Sequence, residues 1–254
     1  MSLFDLKGKV ALVTGGNGGI GLGMARGFAM AGANVVIAGR KAEKSKAAAA
    51  ELAKLGVKTA VVEVNVADEK SCKAMVEQAV KAMGRLDILV NNAGINIRKQ
   101  PEQYAVSEWR EVLSINLDGA FYCAQAAYHP MKAAGGGKMI NIGSMMSIFG
   151  APYTTAYAAS KGGIVQMTRA LATAWAKDNI QVNAILPGWI DTELTQKARE
   201  QVDGLHQNVL KRTPAARWGE PADFNGIAMF LGSKASDFVT GTAIPVDGGF
   251  SIQG

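Results

Sequence analysis

Cysteine and histidine are nearly missing from this 254-residue chain, with two of each, and each scarcity removes a class of chemistry. Cys72 and Cys123 cannot build a disulfide framework, and their flanks lack metal-ligand spacing. His129 and His206 leave no room for a three-histidine zinc site, so no metal is expected. The first reads as a helix-end residue before Pro130, the second as a loop residue. No apolar run approaches the roughly 18 residues that a membrane helix needs, so no membrane partner is expected. Asp5, Lys7 and Lys9 interrupt the stretch that a signal peptide would keep apolar, and the expected compartment is the cytoplasm. Lys+Arg outnumber Asp+Glu by 27 to 21, but the basic residues are scattered, and even their densest stretch, 40–46, contains Glu43. Without stacking aromatics or a groove-reading motif beside the charge, nucleic acid is not an expected partner.

What the chain does have is apolar residues, 48% of the total, and 30 glycines against seven prolines, with no three-residue glycine period. It can bury a sizeable core, and its glycines mark tight turns and close backbone approaches. Short β-branched runs at 10–14, 34–38, 59–64, 86–90, 138–142, 181–186 and 243–246 read as strands. Helical stretches alternate with them, at 24–31, 43–55, 69–82, 107–134 with a break around 114–116, and 155–177. Continuous apolar strands alternating with helices predict an α/β fold, a doubly wound parallel sheet of about seven strands covered on both faces. No linker or repeat divides the chain, so residues 1–254 are expected to form one domain. The polar segment at about 192–217 is its least sheet-like part and the expected substrate side.

The first strand runs directly into Thr14-Gly15-Gly16-Asn17-Gly18-Gly19-Ile20-Gly21. Glycines at 15, 19 and 21 permit a sharp turn, a close approach of backbone N–H groups to a pyrophosphate, and close packing of the next helix, whose N-terminus faces the phosphates. The second strand ends Ala38-Gly39-Arg40, with no acidic residue to read a ribose 2′-hydroxyl. A guanidinium at Arg40, followed by Lys41, suits a 2′-phosphate, so NADP(H) is expected, with NAD(H) as the alternative.

Tyr157 and Lys161 are four apart and share one helix face. A cation beside a phenol lowers its pKa from about 10 toward a usable general acid/base. Ser144, after the fifth strand, lies where parallel-sheet sites gather and can hydrogen-bond the oxygen that Tyr157 protonates. Met146 and Trp189 are read as walls of the substrate pocket.

Together, Thr14-Gly15…Gly19-Ile20-Gly21, Asn91-Asn92-Ala93-Gly94, Asn116, Ser144, Tyr157…Lys161 and Pro187-Gly188 resemble the short-chain dehydrogenases/reductases along essentially the whole chain. The resemblance implies a Rossmann-type domain and an Asn116–Ser144–Tyr157–Lys161 tetrad. In that scheme Tyr157 transfers the proton, Ser144 polarises the carbonyl, Lys161 lowers the phenol pKa and holds the nicotinamide ribose, and Asn116 fixes a water on Lys161. It also implies that Gly15, Asn17, Gly19, Ile20, Gly21, Asn65, Val66, Asn92, Ala93 and Gly94 line the dinucleotide. Pro187, Gly188, Ile190 and Thr192 would line its nicotinamide end. Asn65 stands where the family commonly has aspartate, which removes a charge and keeps an amide acceptor. The terminal Val246-Asp-Gly-Gly249 resembles the segment that packs subunits in homotetramers of the family. A narrower resemblance, at 211–219, 233–238 and Ile95-Asn-Ile-Arg98, is to the gluconate 5-dehydrogenase branch. It gives Arg98 a substrate carboxylate to read. The expected reaction interconverts a secondary alcohol and a ketone on a sugar acid or polyol; the alternatives are a 3-oxoacyl thioester reductase and a non-catalytic cofactor sensor.

Overall fold

The computed structural model describes residues 3–253. Seven parallel strands, β1 (Val10–Thr14), β2 (Asn34–Gly39), β3 (Thr59–Glu63), β4 (Ile88–Asn91), β5 (Gly137–Ile142), β6 (Ile180–Pro187) and β7 (Ala243–Val246), pair in the order β3-β2-β1-β4-β5-β6-β7. The chain winds outward one way from β1 to β3, then crosses back to β4 and winds the other way. The reversal leaves a crevice at the carboxyl ends of β1 and β4, where ligands bind in such sheets.

Alternation along the strands feeds two cores. Val10 and Leu12 of β1 face a cluster with Cys72 and Met75 of helix α3 (Glu69–Met83), Cys123 and Ala127 of α5 (Gly119–Ala133) and Leu171 of α6 (Thr155–Trp175). Ala11 and Val13 face the opposite cluster, with Met24 and Phe28 of α1 (Gly19–Met30), Leu52 of α2 (Ala42–Ala53), and Phe224 and Leu231 near or within α9 (Asn225–Gly232). Burial on both faces is why the strands read as apolar runs rather than alternating ones.

Three sequence expectations shift. Helix α1 begins at Gly19 rather than at residue 24. Its glycines read as turn because their helix propensity is poor, but Gly23 and Gly27 let the helix lie directly against the backbone of Pro221 and Asn225. The break in 107–134 is a single wide turn, Ser114–Asp118, with an i→i+5 bond from Gly119 N–H to Ser114 O, between α4 (Val106–Leu113) and α5. The polar segment 192–217 contains two helices, α7 (Glu193–Gln201) and α8 (Leu205–Arg212), packed on their own small core of Ala198, Leu205, Val209 and Trp218. His206 therefore sits in α8 rather than a loop, stacked on Trp218 and accepting its indole N–H at 3.1 Å.

An alanine usually gains about 1 kcal/mol over glycine inside a helix. At Gly23 the sign reverses, because a methyl group would overlap the Pro221 carbonyl. Gly23→Ala is expected to destabilise the fold by about 1–3 kcal/mol, the usual cost of overpacking. Chemical denaturation of the variant against Gly226→Ala, where the added methyl meets nothing within 4 Å, checks this.

Candidate active site

The glycine turn is held by Thr14 and Asn92. Thr14 Oγ1 donates to Val90 O (3.1 Å) and accepts the Asn92 and Ala93 N–H groups (3.0 and 3.2 Å). Asn92 Nδ2 donates to the carbonyls of Thr14 and Gly15 at 2.9 and 3.1 Å. Gly15 (φ +63°) and Gly19 (φ +51°) adopt backbone that side chains disfavour, and a Cβ at Gly15 or Gly21 would stand 2.8 or 2.5 Å from Asn92 Nδ2. Helix α1 starts with no side-chain cap and no acid in its first turn, so its free N–H groups and positive end suit a pyrophosphate. These residues fit a dinucleotide. Asn92 and Ala93 also hold the turn itself through their bonds with Thr14 and Gly15.

At the ribose end Asn17 Nδ2 donates to Ser45 Oγ (3.0 Å) across Gly39, whose Cβ would stand 3.0 Å from that nitrogen. Arg40 is exposed, and Lys41 immediately precedes α2. The sequence reading found no cation on the turn itself; the structure brings Lys44 from α2 onto Gly18. Asn65 Oδ1 accepts the Ala67 N–H (3.3 Å), while the Val66 carbonyl meets Gly119 and the Cys72 thiol.

The tetrad residues come from three elements, the wide turn (Asn116), the turn after β5 (Ser144) and α6 (Tyr157 and Lys161). Asn116, in the wide turn, exchanges two hydrogen bonds with the backbone of Ile95, accepting its N–H (2.8 Å) and donating to its carbonyl (2.9 Å). It also donates to Ser160 Oγ (3.1 Å), which donates in turn to Tyr157 O (2.7 Å). Gly94 leaves room here: its Cβ would stand 3.1 Å from Asn116 Oδ1 and 3.7 Å from Lys161 Nζ. Lys161 is buried and donates to Ile142 O at the end of β5 (2.7 Å), with its nitrogen 5.6 Å from the centre of the Tyr157 ring. Ser144 caps the short turn Met145–Ser147, accepting the Met146 N–H (3.1 Å), and Ser147 Oγ ties that turn to Lys161 O (2.7 Å).

Burial pulls the Lys161 ammonium down to about 8. Burial also pushes the Tyr157 phenol up, opposed by the Ser144 hydroxyl and by the charge of Arg98. In this geometry the Lys161 ammonium donates to Ile142 O, and the charge that opposes burial at Tyr157 is that of Arg98. Arg98 lies within electrostatic reach of Tyr157, Tyr153 and Tyr104, and its Nη1 donates to Gln201 at the end of α7 (3.1 Å). Its loop is fixed by a Lys99 N–H bond to Tyr153 O (3.2 Å), just ahead of α6.

On the far side, Gly188 N–H donates to Val246 O (3.0 Å), and its Cβ would stand 2.6 Å from Asp247, so Pro187-Gly188 is pressed to the end of β7. Ile190 pairs with Gly219, and Thr192 lies against Gly19. Trp189 and Ile190 line a cavity of about 260 Å³ with Thr213, Arg217, Asp223 and Asp247. None of the tetrad lines it, and Trp189 and Met146 both pack against the cluster of Met145, Leu186 and Phe250. Sequence reasoning passed over Ser147, Ser160 and Lys44. Ser160, three residues past Tyr157, carried helical spacing as a signal; Lys44 and Ser147 carried none.

A parallel sheet with a glycine turn at its switch point and a buried Tyr/Lys pair on the adjacent helix defines a nicotinamide-dependent oxidoreductase. A family model described as Enoyl-(Acyl carrier protein) reductase matches residues 15–251. The chain belongs to the short-chain dehydrogenase/reductase family, as an NAD(P)-dependent enzyme acting on CH–OH groups. It is 44% identical to the 2-dehydro-3-deoxy-D-gluconate 5-dehydrogenase of Formosa agariphila, over 98% of this chain and 95% of that one. It is 41% identical to the 5-keto-D-gluconate 5-reductase of Escherichia coli strain K12, over 98% of both chains. The crystal structure of a gluconate 5-dehydrogenase from Burkholderia cenocepacia J2315, in complex with NADP and tartrate, superimposes with a TM-score of 0.94 at 39% identity, covering 99% of this chain and 98% of that one.

Lys161 gives a pH signature. Its folded pKa, about 8, lies below the unfolded value of 10.5, so between these values the unfolded chain binds more protons and stability rises with pH. Against Lys161→Met, wild-type protein without cofactor is expected to gain relative stability from pH 8 to 10, measured by denaturant midpoints. A constant difference across that range contradicts the buried ammonium.

Proposed function

We propose that the chain is an NADP(H)-preferring oxidoreductase that interconverts a secondary alcohol and a ketone on a sugar acid, in the manner of a gluconate 5-dehydrogenase. The observation that carries the substrate class is Arg98 beside the Tyr157 phenol: a fork of donors for a carboxylate within reach of the group that moves the proton. The relatives that act on gluconate derivatives, and the one holding NADP with tartrate, a hydroxy acid, support it. Arg40 supports the 2′-phosphate. The nicotinamide, when bound, supplies or accepts the hydride.

Tyr157 holds its proton at neutral pH, because burial outweighs Ser144 and Arg98, and it gives that proton to the ketone oxygen. Ser144 hydrogen-bonds the same oxygen and orients it. Lys161 holds the ribose hydroxyls and relays the proton, and Asn116 fixes the 94–95 backbone that borders it. The substrate-side helices α7 and α8 cover the site, with Gln201 on Arg98. The assembly we propose is a homotetramer, and the compartment the cytoplasm.

Tyr157→Phe keeps the ring packing and removes the transferable proton. Turnover is expected to fall by at least the roughly 10²–10⁴ that general acid/base groups contribute, with nucleotide binding by fluorescence unchanged. Arg98→Ala is expected to lower kcat/KM for a sugar acid by about ten- to a hundredfold, the worth of a charge-assisted contact of about 1.5–3 kcal/mol. A neutral polyol of the same length should be spared, and an unchanged ratio of the two kcat/KM values removes Arg98 from the site.

A further inference from the structure

Gly18 carries no side chain, and the space beside it is taken by Lys44: Nζ and Cε lie 3.1 and 3.3 Å from where its Cβ would stand. The ammonium therefore rests on the glycine turn, one residue before α1. On its other side it is paired with Glu193, the first residue of α7. The corner around this pair is built for an anion. Gly39 leaves open the space bounded by Asn17 and Ser45, whose amide and hydroxyl are joined at 3.0 Å. Arg40 and Lys41 border the same space in sequence, and among the described residues Arg40 has no ion-pair partner. Glu43 is occupied by Lys46 at 2.8 Å, which leaves Glu193 as the acid that Lys44 meets. Both Lys44 and Lys41 hold the Glu193 carboxyl below its ordinary range.

We propose that Lys44 is a second phosphate-reading residue of the cofactor corner, and that Glu193 is the competing anion that occupies its ammonium until a 2′-phosphate takes the place of the carboxylate. The inference rests on the NADP(H) reading above. A phosphate monoester carries more charge than a carboxylate and offers three acceptor oxygens, so it outcompetes a largely exposed side-chain pair. NAD(H) has a hydroxyl at that position and leaves the Lys44–Glu193 pair intact. The exchange takes place where α7 meets the turn, beside the contact of Thr192 with Gly19, so only the phosphorylated cofactor frees the first residue of the substrate-side helices.

Lys44→Gln and Glu193→Gln break the same ion pair, which separates a cofactor role from a structural one. Affinities of both variants for NADPH and NADH are measured by fluorescence titration, with those for 2′,5′-ADP and 5′-AMP by calorimetry and thermal midpoints alongside. Lys44→Gln is expected to weaken NADPH and 2′,5′-ADP about tenfold, the worth of one charge-assisted contact, and to leave NADH and 5′-AMP within twofold. Glu193→Gln removes the competitor and is expected to tighten NADPH and 2′,5′-ADP severalfold, with the same thermal midpoint as Lys44→Gln. If both variants shift NADPH affinity in the same direction, or if NADPH and NADH shift equally, the proposal is overturned. A wild type that binds NADH more tightly than NADPH overturns the cofactor reading itself, and is seen before any variant is made.

Discussion

The site depends first on the hydroxyl of Thr14. At the end of β1 it donates to Val90 O and accepts the N–H groups of Asn92 and Ala93, using both its donor and its acceptor capacity. It therefore fixes how the chain leaves β4 relative to how it leaves β1, which is the geometry of the crevice itself. Asn92 returns the favour to the glycine turn through the carbonyls of Thr14 and Gly15. The conformationally permissive glycines are in this way held in one arrangement, at positions where their freedom would otherwise cost ordering entropy on binding.

From that crossing a second chain of hydrogen bonds reaches the catalytic groups. The backbone leaving β4 passes Gly94 to Ile95, where Asn116 grips both the N–H and the carbonyl. Asn116 can do so because the wide turn Ser114–Asp118 carries it, and such single wide turns inside helices are often functional. Through Ser160 the same amide reaches the carbonyl of Tyr157. The glycine turn, the wide turn and the start of α6 are thus joined through the β4 exit by hydrogen bonds to side chains and backbone. Each buried member has a partner at most of its polar atoms, which is the condition for such a network to rigidify rather than destabilise.

The seven strands, their parallel doubly wound class and the glycine turn after the first strand were readable because they depend on local signals, apolar runs and glycine spacing, and the Tyr157–Lys161 pair was readable from its i,i+4 spacing. The start of α1 was misread because glycine's poor helix propensity is overridden by packing on Pro221 and Asn225, which lie about 200 residues away in sequence. Lys44 was passed over for a related reason. Its position beside Gly18 arises from the docking of α2 against the turn, and nothing in the run Lys41-Ala-Glu-Lys44 says which lysine turns inward. The 192–217 segment hid its two helices because their apolar face is small, covering only a core around Trp218.

The least legible feature was the sign of the electrostatics. An i,i+4 tyrosine and lysine suggest an ammonium that acidifies a phenol, but burial acts on the two groups in opposite directions, raising the phenol and lowering the ammonium, so that both are driven toward neutrality. With Lys161 donating to the Ile142 carbonyl, Arg98 adds a charge that opposes burial at Tyr157, from a guanidinium that is itself partly desolvated. The same cation is the one placed to meet a carboxylate. On the proposed sugar-acid reading, a substrate carboxylate paired with Arg98 offsets that charge in both directions of the reaction and holds the phenol's proton more firmly. If Arg98 reads the substrate as proposed, recognition of charge and the protonation state of Tyr157 converge on one side chain, because the same guanidinium acts on the phenol.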